Sequence, residues 1–204
     1  MLEIFIMSDF WDERYKNDDF VYGTEPNAVF KTFIDQESPG KLLLPAEGEG
    51  RNAVYAASKG WDVFAFDSSS EALKKAKRLA ESKNVIFNYQ LSDLQNYLAE
   101  KDLYDVIALI YVHQSPPVRQ KFHLELIRSL KKGGKLFLLA FSQSQINNNS
   151  GGPKDKNLLY DIELIRNDFK KLEMMVCEEL QLHLEEGPWH TGVSNNILYI
   201  GRKS

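Results

Sequence analysis

The chain has 204 residues, of which 43% are hydrophobic and 26% charged, and a formal net charge of −4. That is enough for one globular domain with a sizeable core. The negative balance excludes a protein that grips nucleic-acid backbone through a broad basic face. The short clusters KKAKR (Lys74 to Arg78) and LKKGGK (Leu130 to Lys135) read as solvated helix faces or helix ends.

MLEIFIM at the start is apolar, but it has no basic n-region or small-residue cleavage site and is too short to span a bilayer. No later segment is long enough either, so a cytoplasmic location without membrane contact is expected. Met7 opens MSDFWDERY and is an alternative start to Met1. The single cysteine, Cys177, excludes an internal disulfide and fits a reducing compartment. It lies in the apolar run MMVC and reads as a small core residue, not a nucleophile.

KLLLP (Lys41 to Pro45) is the first expected strand, with Asn52 to Ser58 in the helix after it. DVFAF (Asp62 to Phe66) is the second. SSEALKKAKRLAES follows as a helix, capped by Ser69 or Ser70, with Leu73, Ala76, Leu79 and Ala80 as its apolar stripe. VIFNY (Val85 to Tyr89) is a third strand. YDVIALIYV (Tyr104 to Val112) is a near-continuous apolar run, as a central parallel strand requires. PPVRQKFHLELIRSLKKGG reads as a helix opened by Pro116 and Pro117 and ended by Gly133. KLFLLAF (Lys135 to Phe141) is the fifth strand, and Gln143 to Asn157 a long loop without apolar period. LLYDIELIRNDF is a short helix. Glu173 to Leu184 and Asn195 to Arg202 form a terminal hairpin across EEGPWHTGVS.

This alternation predicts an α/β fold: a Rossmann-like, doubly wound, seven-stranded sheet, mostly parallel, with one antiparallel strand from the C-terminal hairpin. A single domain spans 1–204, with 1–40 as an N-terminal cap. Ligands in this architecture sit outside the carboxyl ends of the strands.

Gly48-Glu49-Gly50 follows the first strand directly, and glycine lets backbone approach a ligand and adopt positive φ. Asp67 ends the second strand, at the spacing of a ribose ligand in a nucleotide site. Two cofactors fit these residues. GEGRNA (Gly48 to Ala53) also satisfies the nicotinamide dinucleotide pattern, and Tyr-x-x-x-Lys occurs at Tyr55/Lys59 and Tyr97/Lys101. Both pairs precede the fourth strand, whereas in short-chain dehydrogenases the pair lies beyond the fifth.

LLLPAEGEGRNAVYAASKGWDVFAFDSSSEAL resembles motif I and the following acidic loop of class I S-adenosylmethionine-dependent methyltransferases. FWDERYKNDDFVYGTEPN and EEGPWHTGVSNNILYIGRK resemble the two ends of the small bacterial tellurite-resistance and thiopurine-type members. The resemblance covers nearly the whole chain. It implies that Ala46, Gly48 and Gly50 line the methionine part of S-adenosylmethionine, Asp67 its ribose and Ser68 the adenine edge. It implies Asp93 and the Leu94 amide for the adenine amino group, and Ile110 and Tyr111 beneath the sulfonium. Tyr22, Gly23 and Thr24 would fold over the cofactor, and Arg14 would pair with its carboxylate. Two positions depart from the pattern. Relatives carry an acid where Leu44 stands and a glycine where Ala46 stands. Glu47 is a poor positional substitute for that acid, and Ala46 is tolerable if its φ is negative.

Methyl transfer needs an oriented nucleophile, and a base if the nucleophile starts protonated. Trp11, Tyr15, Tyr22 and Tyr111 are candidates for an aromatic face near the sulfonium. His190, in the PWHTG loop, is the first candidate for catalysis, with an unperturbed pKa suited to base work. His113 is the second; His123 and His183 read as structural. Trp189, like Trp11, reads as packing, and Asn147 to Asn157 as either a lid or a connector. No metal-ligand spacing stands out. The expected function is methyl transfer to a small soluble acceptor by a monomer or homodimer, with no nucleic acid. The acceptor stays open among chalcogen oxyanions, thiols, amines and hydroxyls. An NAD(P)-dependent oxidoreductase, or a non-catalytic binder of S-adenosylmethionine or S-adenosylhomocysteine, are the alternatives.

Overall fold

A computed structural model describes residues 2–204, with side chains from Asp9 onward. Met1 and the side chain of Met7 lie outside that range. The seven strands are β1 (Lys41–Pro45), β2 (Asp62–Asp67), β3 (Asn88–Leu91), β4 (Tyr104–Ile110), β5 (Leu130–Phe141), β6 (Glu173–Glu185) and β7 (Thr191–Arg202). They form one sheet in the order β3-β2-β1-β4-β5-β7-β6. The first five are mutually parallel, and β7 runs antiparallel to both β5 and β6. The doubly wound sheet with a single reversed strand is as expected. The order switches direction between β1 and β4, which opens a crevice at their carboxyl ends.

The central strands are apolar because both faces are covered. Leu42, Leu43 and Leu44 of β1 are all buried, as are Ile107, Ala108 and Leu109 of β4. The helices α5 (Pro116–Ser129) and α6 (Ile162–Asp168) cover one face through Phe122, Leu126 and Ile165. The helices α2 (Ala28–Ile34) and α3 (Arg51–Ser58) cover the other through Phe30, Phe33, Ala53 and Ala56. The helix α4 (Ser70–Ser82) packs on α3 through Leu79 and Ala80.

Three local details differ from the sequence reading. Gly133 does not end α5: the helix stops at Ser129, and β5 begins at once. Its register jumps from Leu130 opposite Tyr104 to Lys135 opposite Val106, so Gly133 (φ +79°) sits in a bulge. β3 starts three residues later than expected, because the Val85 amide still closes the end of α4 on the Ala80 carbonyl. The N-terminal segment carries two helices that its sequence did not announce, α1 (Leu2–Tyr15) and α2. Asp12 fixes α1 across the start of α4, accepting from both serine hydroxyls, Ser69 and Ser70, and from the Glu71 amide.

Candidate active site

A cavity of about 410 Å³ opens at the carboxyl ends of β1, β2, β4 and β5. Of the expected site residues, its wall includes Arg14, Tyr22, Ala46, Gly48, Asp67, Ser68, Asp93, Leu94, Ile110, Tyr111, His113 and His190. Gly23 and Gly50 are not on that wall. Gly50 faces α4 instead, where a Cβ would lie 2.7 Å from the Ala76 Cβ. Its φ of +86° and lack of a side chain serve helix packing, not ligand approach.

The turn after β1 builds one end. The Gly48 amide donates to Asp67 Oδ2 at 2.9 Å, and the Ser69 amide donates to Oδ1 at 2.9 Å. Burial nevertheless pushes the Asp67 carboxyl up to about 6. Each oxygen has lone pairs to spare, so the carboxylate fits a sugar diol. A Cβ on Gly48 would sit 2.9 Å from the Tyr15 hydroxyl, so only glycine leaves this passage open. Ala46 corrects an expectation: its φ is +50°, a left-handed conformation that costs alanine free energy. Glu47 corrects another. Its carboxylate is buried on the cavity wall, accepting from the Asn52 and Ala53 amides at 2.8 Å each. It caps α3, which Gly50 cannot do with a side chain. Burial raises its carboxyl to about 7. The acid missing at Leu44 thus has a counterpart three residues later. At the far side of this end, Asp93 accepts from the Gln95 amide at 2.7 Å.

Side chains from distant segments build the other end. His190 Nδ1 lies 3.3 Å from Glu186 Oε2. Arg51 donates to the same oxygen at 2.9 Å, and the Asn27 amide donates to Oε1 at 2.7 Å. Burial works against ionising Glu186, but the bonds from His190 and the charge of Arg51 prevail and hold it at about 2. Burial lowers the His190 pKa, so the imidazole rests neutral at pH 7. Tyr111 closes β4 in a strained conformation, φ +57°, and stacks on Phe141 at 4.5 Å between ring centroids.

His113 does not have the geometry of a base. Its Nδ1 lies 2.8 Å from the Leu158 carbonyl and must donate to it, while its Nε2 accepts from the Phe141 amide at 3.3 Å. With both nitrogens engaged by backbone, burial drives its pKa down to about 4. His123 is buried between Asp168 and the Phe169 ring and joins α5 to α6. His183 is exposed on β6, near Glu185.

Trp11 and Tyr15 also line the cavity. Arg14 reaches the Tyr22 hydroxyl at 3.4 Å and lies 3.9 Å above the Trp189 ring, with no carboxylate partner among the described residues. The cap is bolted down from beneath. Glu49 accepts from the Val21 and Tyr22 amides and from Lys75 at 2.8 Å, and Arg51 donates to the Tyr22 carbonyl. Gly152, Pro153 and Leu158 bring the loop after β5 onto the cavity wall. Neither Tyr-x-x-x-Lys pair reaches it: the Tyr55 hydroxyl donates to Asp35, and that of Tyr97 bonds Ser129. Sequence reasoning missed Asn27, Arg51 and Glu186. The one local hint was an acid four residues before His190.

A carboxylate ending β2, a glycine turn after β1 and a crevice at the switch in strand order define a nucleotide-cofactor site. Residues 45–134 match the family model of the methyltransferase domain, and this match, with the relatives and solved structures below, supports a class I S-adenosylmethionine-dependent methyltransferase. These matches imply S-adenosylmethionine as the cofactor, and the Asp67 carboxylate and open Gly48 turn fit it.

Among individual proteins, the chain is 29% identical over 98 residues to the ubiquinone biosynthesis O-methyltransferase of Rickettsia akari, covering 48% of this chain and 39% of that protein. It is 26% identical over 121 residues to the enzyme of the same name from Coxiella burnetii, covering 58% and 52%. The chain thus spans about half or less of the length of these curated relatives. TehB from Haemophilus influenzae superposes with a TM-score of 0.72 at 17% identity, over 97% of this chain and 67% of that one. A methyltransferase of Methanosarcina mazei superposes with a TM-score of 0.69 at 16% identity, over 88% and 98%. These two share the fold.

Proposed function

We propose that this chain transfers a methyl group from S-adenosylmethionine to a small soluble acceptor. The observation that carries the reading is one continuous cavity with the Asp67 carboxylate at one end and the His190 imidazole at the other. When bound, the cofactor supplies a methyl group on a cationic sulfur that leaves as a neutral thioether. Asp67 would hold the ribose hydroxyls, with Ser68, Asp93 and Leu94 against the adenine. Gly48 and Glu47 would border the methionine part, and Arg14, with no acid partner among the described residues, would receive its carboxylate. Tyr22 and Tyr111 present aromatic faces where a cation is attracted. His190 is assigned to the acceptor; His113 is assigned a structural role. The names of the curated relatives specify oxygen as the methylated atom. The acceptor is small because Tyr22, Tyr111 and Phe141 pack closely around His190.

Calorimetry with S-adenosylhomocysteine and with NADH tests the reading. Binding of the first without the second is expected, and the reverse would return the chain to the oxidoreductases. Labelled-methyl transfer to a panel of acceptors then separates an enzyme from a non-catalytic binder.

A further inference from the structure

We propose that the acceptor is a flat aromatic compound bearing a hydroxyl, that His190 takes the hydroxyl proton, and that Glu186 is the positioning residue for this step. The proposal rests on the methyltransferase reading above and names its substrate class.

The first support is direction. An ionised carboxylate only accepts, so the His190 nitrogen facing Glu186 must be Nδ1–H, and Nε2 carries a bare lone pair. The Gly151 backbone packs against the Cδ2 edge, where a Cβ would stand 2.6 Å from Cδ2 and 3.2 Å from Nε2, and the ring itself lines the cavity. Arg51 sits on the same Glu186 oxygen as His190 and offsets its charge, so the dyad does not hold a proton at rest.

The second support is what an empty, neutral base is useful for. An oxyanion acceptor arrives without a proton to remove. A thiol, with a pKa of about 8.5, is a few per cent ionised near neutrality and strongly nucleophilic in that form, whereas a phenolic hydroxyl, at about 10, ionises roughly thirtyfold less and gains more from a base. The third is an unmet donor. The Tyr111 hydroxyl is buried, without a hydrogen-bond partner among the described residues. A hydroxyl oxygen that gives its proton to His190 keeps lone pairs to accept from Tyr111. The fourth is shape. Tyr22, Tyr111 and Phe141 surround the imidazole at 4.5, 4.8 and 5.4 Å between ring centroids, leaving aromatic walls that favour a flat ring.

The step balances simply. The acceptor O–H bond breaks as the N–H bond forms at Nε2, the oxygen keeps the electron pair with which it takes the methyl group, and His190 later gives its proton to water.

The test is calorimetric, on the full chain saturated with S-adenosylhomocysteine, with 4-methylphenol, toluene and 4-methylbenzenethiol as probes. The phenol is expected to bind at least roughly tenfold more tightly than toluene, because a site built for a hydroxyl rejects the ring that lacks it. That advantage should vanish in His190→Gln. Tyr111→Phe, which leaves the stack on Phe141 in place, should weaken phenol binding roughly three- to tenfold and leave toluene unchanged. Glu186→Ala should mix the two His190 tautomers in 15N imidazole spectra, which simple loosening of the loop would not do selectively. If S-adenosylhomocysteine binds while the phenol and toluene bind alike, or the thiol binds roughly tenfold tighter than the phenol, the proposal is overturned and the methyltransferase reading stands. If S-adenosylhomocysteine does not bind, both fall.

Discussion

The two ends of the cavity are built in different ways. The centre of the cofactor end comes from one unbroken stretch, Ala46 to Ser69, and its contacts are largely backbone amides meeting Asp67 and Glu47. The acceptor end joins Asn27, Arg51, Tyr111, Glu186 and His190, from segments up to 159 residues apart, through side chains alone. Backbone geometry tolerates changes of side chain, whereas a side-chain network fails when one member is lost. The first end is therefore expected to be robust and the second brittle.

The largest expected effect is at the brittle end. His190→Ala should lower turnover by about 10²–10⁴-fold, the usual contribution of a general base, while S-adenosylhomocysteine affinity stays within roughly twofold. Steady-state kinetics beside calorimetry would show it; intact turnover with lost cofactor affinity would erase the distinction between the ends. Arg51→Ala removes the cation from the buried Glu186 and should cost about 3–5 kcal/mol in urea unfolding, as broken buried pairs do. A loss below about 1 kcal/mol would mean that Glu186 finds another partner.

The distinction can be sharpened through pH. His190 is held low by burial, and Glu186 raises its pKa while Arg51 and Arg14 lower it. The acidic limb of kcat/KM should therefore lie below the ordinary histidine value of about 6.5. It should move down in Glu186→Gln and up in Arg14→Met, opposite shifts that general loosening of the fold cannot produce together. The smallest effect belongs to the robust end. Ala46→Gly relieves a left-handed alanine and should stabilise the chain by up to about 1 kcal/mol in thermal unfolding. Destabilisation there would mean that the Ala46 methyl packs usefully against the core.

The same contrast explains what the sequence could disclose. The strand–turn–helix around Gly48 and the acid ending β2 are local features, so their pattern survives in one dimension, and the sheet order follows from alternation and the terminal hairpin. The sign of φ at Ala46 was not legible, because the residue type argued for the opposite. Glu47 was discounted for standing in the turn, yet the turn folds it back onto the first amides of α3. Glu186 carried no distinguishing pattern beyond its spacing to His190. Its partners Arg51 and Asn27 lie 135 and 159 residues away, and only the closed sheet brings them together. His113 ranked second to His190 in sequence. What separates them is that backbone groups occupy both its nitrogens.

The central claim is that the bend at Gly48 and the Asp67 carboxylate hold the donor while His190 serves only the acceptor. Calorimetric titration of S-adenosylhomocysteine into the native chain, Asp67→Ala and His190→Ala tests it most directly. The account predicts binding to the native chain, a loss of about 1.5–3 kcal/mol in Asp67→Ala and no change in His190→Ala. Equal affinity for all three, or none for the native chain, would contradict it.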